Sequence, residues 1–154
     1  SRGYKQFIPQ GDTLGTHLSN KSKCALDIAA SEGTIVKAVD GGTIGLVGKF
    51  NDQCGTNTCT AEKMLGNFII IRHANNISSL YAHLKPDSIS VKEGDEVVSN
   101  QEIGRVGTTG FTRGVHLHFE MYSGSDGKDS GKGVRPESMC GNSDLKPDDN
   151  LSGC

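Results

Sequence analysis

The stretch GVHLHFEM, Gly114 to Met121, sets two histidines one residue apart in an otherwise mostly apolar run. Side chains alternate between the two faces of a β-strand, so Val115, Leu117, Phe119 and Met121 are predicted to point one way, into a core. His116, His118 and Glu120 then share the other face, with the two histidines about 7 Å apart at their Cα atoms. A polar, titratable strand face suits a reactive site. The alternative is a solvent-facing strand with two surface histidines, and this stretch alone leaves both readings open.

Working outward, strand signals dominate. "TIVKAVDGGTIGLVG" reads as strand, Asp-Gly-Gly turn, strand. "NFIIIRH" is an apolar run of buried-strand type, and "SSLYAHL" follows it after the turn-like "ANN", predicting a hairpin. "QEIGRVG" and "VHLHFEMY" read as two more strands. No segment holds a helical apolar period for long. A short internal echo joins Glu32–Gly48 to Glu93–Gly107: both run Glu-Gly, a strand, then Ile-Gly-x-Val-Gly. Such an echo fits an all-β sandwich or barrel whose halves use one strand-turn unit.

Composition agrees. The 154 residues fit one domain, and with 34% hydrophobic and 5% aromatic residues its core is modest. The 21 glycines against only four prolines argue for many turns between short strands. Sixteen basic and 18 acidic residues leave a formal charge of -2, which advertises neither a nucleic-acid binder nor a polybasic membrane anchor. No apolar run approaches transmembrane length and no signal peptide is read, so the start at "SRGYKQF" is consistent with a mature or trimmed form.

Cys54 and Cys59 bracket the polar "GTNT", and Cys140 and Cys154 bracket a polar tail with little reason to fold unaided. Both pairs are expected to be local disulfides of an oxidising compartment, leaving Cys24 over. A structural zinc on four cysteines is the rival, but the spacings do not resemble paired C-x-x-C knuckles.

All five histidines and one acid in an apolar segment form a short list: His17, Asp27 (in "CALDIAA"), His73, His83, His116 and His118. A catalytic zinc needs three protein ligands and an open position. It lowers the pKa of its water and polarises a carbonyl, while a further histidine accepts a proton or binds the oxyanion. The list supplies one acid and more histidines than such a site requires, and composition does not say which histidine does which job.

Taken in order, "H…ALDIAASEGTIVKAVDGGTI", "GNFIIIRHANNISSLYAHL", "VKEGDEVVSNQEIGRVGTTG" and "GVHLHFE" resemble the lysostaphin/LytM-type zinc metallopeptidases, which are peptidoglycan endopeptidases. The resemblance runs from about His17 to Glu120 and rests on four motifs in order. It implies an all-β fold: a lysostaphin/LytM-type antiparallel sheet, barrel-sandwich-like, with long loops around a zinc groove. It implies Zn2+ held by His17, Asp27 and His118, with His83 and His116 as the two catalytic histidines that do not bind the metal. His73 matches a frequent non-catalytic histidine and is read as structural or supporting. Two departures are visible. Nine residues separate His17 from Asp27 where many members have H-x-x-x-D, and Val115 stands where P-H-L-H is frequent. Neither removes a ligand.

For Glu120 a structural role is favoured over orienting a ligand. Asn67 and Tyr81 are placed at the groove border. Asn20, Asn76 and Asn150 begin N-x-S triplets, which matter only in a host that glycosylates secreted proteins. The expected organisation is one metallopeptidase domain, 1–154, with a motif-bearing core over about 11–122 and an irregular, disulfide-tethered tail over 123–154. The expected protein is a secreted or periplasmic zinc endopeptidase, a monomer acting on peptidoglycan peptides without nucleic acid or membrane insertion. Two alternatives stand beside it: a non-catalytic zinc-fold activator or binding module, and a secreted protease of glycine-rich proteins such as elastin.

Overall fold

In the computed structural model, the HLHFEM run is β9 (His116–Ser123), an interior strand of a broad antiparallel sheet. Its neighbours are β2 (Ala25–Ala29) and β6 (Ile77–Leu84). Beyond β2 lies β1 (Thr13–His17). Beyond β6 follow β5 (Asn67–Arg72), β4 (Gly42–Gly48) and β7 (Glu96–Val97), giving the order β1-β2-β9-β6-β5-β4-β7. A second, two-stranded sheet pairs β3 (Ile35–Lys37) with β8 (Glu102–Arg105). The one short α-helix among the described residues is α1 (Ala61–Leu65). The structure describes residues 13–17, 25–52, 61–112 and 114–123, with only the backbone at 13–17, 25, 26, 61, 62, 122 and 123. All five cysteines, Asn20, Asn150 and the tail from 124 lie outside the described residues, as does the side chain of His17.

The alternation along β9 holds where the strand is paired. Leu117, Phe119 and Met121 are essentially buried and join a core with Ile28, Ile69, Ile71 and Tyr81, capped by Val36 and Ile103 of the small sheet. Full burial of each such side chain is worth about 1.5–3 kcal/mol, so this face fixes the register. Val115 departs from the expectation. It stands 38% exposed because β9 begins only at His116, and among the described residues no partner strand turns Val115 inward. The opposite face carries a smaller cluster of Phe68, Ile70, Leu80 and Ala82, with Leu46, Phe50 and Leu65 packed against it.

The repeated unit is used twice, and the two copies interlock. β3 and β4 flank the Asp-Gly-Gly turn but do not pair with each other. The first strand of one copy, β3, pairs with the second strand of the other, β8. Reciprocally, β4 pairs with β7. Ala38 N–H donates to Gln101 O, and Asn100 N–H donates back to Ala38 O, each at 2.8 Å across the crossing point. The predicted β5–β6 hairpin is present, turning through Ala74–Asn76.

Two residues expected at a groove border lie inside instead. Tyr81 is fully buried beside Phe119, and its hydroxyl accepts the Val39 N–H at 2.9 Å. The hydroxyl also meets Ser79 Oγ at 2.9 Å, which contacts His73 Nε2 at 2.7 Å, while His73 Nδ1 lies 2.8 Å from Gly41 O. His73 thus belongs to a buried structural network. Asn67 is also buried: its N–H donates to Thr109 Oγ1 and its Nδ2 to Asn51 Oδ1 and Leu84 O. Removing the acceptor of a buried amide is costly, so Tyr81→Phe should destabilise the domain by about 1–3 kcal/mol in urea unfolding. An unchanged midpoint would show that the Val39 amide does not depend on this hydroxyl.

Candidate active site

Residues opposite each other in antiparallel strands share a face. Asp27 of β2 is opposite His118 of β9, which is opposite Ala82 of β6. Glu120 lies opposite Ala25, and His116 opposite Ala29. On β1, the backbone of His17 pairs with Ala25, two residues along β2 from Asp27. The register therefore brings position 17 to the same corner of the sheet as Asp27, His118 and Glu120.

His83 reaches this face by a different route. Strict alternation along β6 would send it to the core side with Ser79 and Tyr81. Between the Asn67–Leu84 and Ile69–Tyr81 pairs, however, one residue of β5 faces two of β6, Ala82 and His83. This is a β-bulge, a device that re-aims side chains beside functional sites. His83 also adopts φ 60°, a left-handed conformation uncommon outside glycine. Its ring consequently meets His116 and His118 edge-on, with centroids 5.1 and 5.8 Å apart.

Asp27 Oδ1 lies 3.1 Å from His118 Nδ1 and 3.4 Å from His116 Nε2. His118 Nε2 lies 2.7 Å from Glu120 Oε1. Glu120 is thus a direct partner of His118. His116 Nδ1 is 3.1 Å from Gly114 O and 3.2 Å from Thr112 Oγ1. His83 Nδ1 is 2.8 Å from Thr109 O. A carbonyl only accepts, so both Nδ1 atoms carry protons; in neutral His83 this leaves Nε2 as the acceptor, while His116 Nε2 faces the Asp27 carboxylate. These anchoring carbonyls, of Thr109 and Gly114, are backbone groups, which is why no residue type marked them in the sequence.

Burial of His118 lowers its pKa, but hydrogen bonds to Asp27 and Glu120, together with their charges, outweigh it and hold the ring at about 9. Burial, followed by the neighbouring His118 charge, pushes His83 down to about 4 against the pull of the Thr109 carbonyl. Donor atoms of His83, His116 and His118 lie within 4.8 Å of one another and could together hold a metal ion. The structure therefore gathers Asp27, His83, His116 and His118, adds Glu120, and leaves His73 in its separate network.

The two shifts oppose each other in the metal-free protein. His83, lowered from 6.5, stabilises the fold above that pH and loses this as pH falls through about 4. His118, raised from 6.5, stabilises below that pH and loses it as pH rises through about 9. Imidazole titration by NMR in metal-free protein should find His83 neutral and His118 charged at pH 6. A His83 midpoint at or above 6.5 would contradict the dominance of burial.

Comparison with known proteins gives three kinds of match. Residues 21–130 match the sequence profile of Peptidase family M23. The DD-carboxypeptidase/endopeptidase Mpg of Neisseria meningitidis serogroup B is 39% identical over 95 residues, which cover 62% of this chain and 19% of that protein. The murein hydrolase activator NlpD of Salmonella dublin is 34% identical over 111 residues, covering 72% of this chain and 24% of that one. The chain thus spans less than a quarter of the length of either relative. Among solved structures, the catalytic domain of the antimicrobial peptidase lysostaphin from Staphylococcus simulans aligns with a TM-score of 0.62 at 25% identity, covering 88% of this chain and 94% of that one.

Proposed function

The chain belongs to peptidase family M23, and from that premise we propose that it is a zinc-dependent endopeptidase cutting peptide cross-links of bacterial peptidoglycan. The observation carrying this reading is the convergence of Asp27, His116, His118 and His83 on one sheet face, with the His83 Nε2 kept as an acceptor by the Nδ1 bond to Thr109 O. The name of the Salmonella relative, an activator of murein hydrolases, and the lysostaphin-like fold support peptidoglycan as the target. An envelope or secreted location follows from such a substrate. No helix among the described residues is long and apolar enough to cross a membrane.

The donor set fits zinc. A carboxylate oxygen beside imidazole nitrogens is the O/N combination that a catalytic zinc takes. Asp27 and His118 would hold the ion, with His17 as the third ligand. When bound, the ion supplies Lewis acidity for water activation and carbonyl polarisation. Glu120 accepts from His118 Nε2–H and so leaves Nδ1 for the metal. His83 is neutral at pH 7 and can take a proton at Nε2. His116, anchored at Nδ1, presents its Nε2 to the same space. No Trp occurs in the chain and aromatics are few, which suits a shallow slot for small residues such as Gly and Ala.

A second reading, a non-catalytic activator of other hydrolases, is favoured by the name of the Salmonella relative alone. Digestion of purified sacculi separates the two. The peptidase reading expects free amines without new reducing sugar. Reducing ends would indicate a glycosidase, inactivity on every sacculus type with metal bound would favour the activator, and cleavage of elastin alone would favour the glycine-rich protein substrate.

Elemental analysis should find one zinc per chain, with activity abolished by chelation before the domain unfolds. His83→Ala and His116→Ala should keep zinc while losing activity by a factor of about a hundred to ten thousand. His118→Ala should lose zinc, and release of zinc by His83→Ala or His116→Ala to the same extent would overturn these roles. Glu120→Gln should weaken zinc binding by about ten- to a hundredfold in a competition titration. Wild-type affinity in that variant would reduce Glu120 to a structural ion pair.

A further inference from the structure

We infer that Thr109 is a positioning residue whose side-chain hydroxyl locks His83 in its Nδ1–H tautomer. The inference rests on the reading that His83 works through Nε2. Its ground is the way one loop grips His83 at the bulge. Thr109 Oγ1 donates to Leu84 O at 2.7 Å and accepts Asn67 N–H at 2.9 Å. One hydroxyl thereby bridges the paired ends of β5 and β6, at the Asn67–Leu84 pair beside the bulge. The same residue's carbonyl accepts the His83 Nδ1–H at 2.8 Å. Gly107 N–H donates to His83 O at 3.0 Å, so the loop holds both the ring and the backbone of His83.

The loop has little freedom to shift. Thr109 is only 3% exposed. Gly110 has φ 79°, and a Cβ added there would lie 2.4 Å from the Gly66 nitrogen, so the loop backbone is pressed against the residue preceding β5. Phe111 N–H donates to Met64 O at 2.8 Å and ties the next residue to α1.

The hydroxyl matters because burial and tautomer are separate questions. A neutral imidazole keeps one proton on either ring nitrogen, and the hydrogen bonds the ring makes choose which. Free neutral histidine prefers the proton on Nε2, which would turn a donor instead of an acceptor towards His116 and His118. The Thr109 carbonyl reverses that preference, and it stays in place because the Thr109 hydroxyl fastens the loop to both strands. A hydroxyl with only a stabilising role would leave the tautomer unchanged when removed.

The test compares full-length wild type with Thr109→Val and Thr109→Ser, reading the His83 tautomer by long-range 1H–15N correlation. It also reads zinc affinity by competition titration, and kcat and KM on a peptidoglycan-derived peptide. Wild type and the serine variant should show the Nδ1–H form. The valine variant should bind zinc normally, show a mixed or Nε2–H tautomer, and lose about ten- to a hundredfold in kcat at little-changed KM. Nε2–H in wild type, or an unaltered tautomer and kcat in the valine variant, overturns the inference. If the valine variant does not fold, Thr109→Ala takes its place under the same criteria. Absence of hydrolysis by wild type would instead refute the proposed activity, while the tautomer measurement still decides the role of Thr109.

Discussion

Everything at the candidate site hangs on the two-sidedness of β9. This strand lies between β2 and β6, and its odd-numbered residues from Leu117 to Met121 are buried in the main core. A slip of one residue would bury His116, His118 and Glu120 and expose Leu117, Phe119 and Met121. The cost of that exchange holds the imidazoles on the other face. The same register sets Asp27 directly beside His118. The donor geometry is therefore fixed by hydrophobic burial on the reverse of the sheet, with no need for the donors to attract one another.

The interlocked repeat supplies the support. Each copy offers one strand to the other, so the small sheet and the β4–β7 edge cannot form independently. Val36 and Ile103, one from each copy, cap the core behind β9. Tyr81 links this region to the β3–β4 connection by accepting the Val39 amide. The chain is poor in aromatics, and cross-pairing of the copies lets a modest core cover the back of a wide sheet.

Charge at the site is arranged in opposition. A buried imidazole between two carboxylates is held cationic in the metal-free protein, and a second imidazole 5.8 Å away, centroid to centroid, is held neutral partly by that charge. The Nδ1 atoms of His83 and His116 meanwhile lean on carbonyls of one loop.

The sequence by itself determined the alternation of β9, the β5–β6 hairpin, the all-β class and, through the four ordered motifs, the membership of Asp27, His83, His116 and His118 in one set. These are legible because strand period and side-chain chemistry are local properties. Tertiary structure alone decided how His83 joins the set: alternation assigns it to the core beside Tyr81, and only the bulge against Phe68 and a left-handed φ turn it round. It likewise decided that Tyr81 and Asn67 are interior, that β3 and β4 part company after their turn, and that Val115 falls outside the paired strand. The anchoring carbonyls of Thr109 and Gly114 were invisible for the same reason. A backbone acceptor has no residue type, and the His83–Thr109 bond joins positions 26 residues apart through pairings that exist only once the sheet has formed.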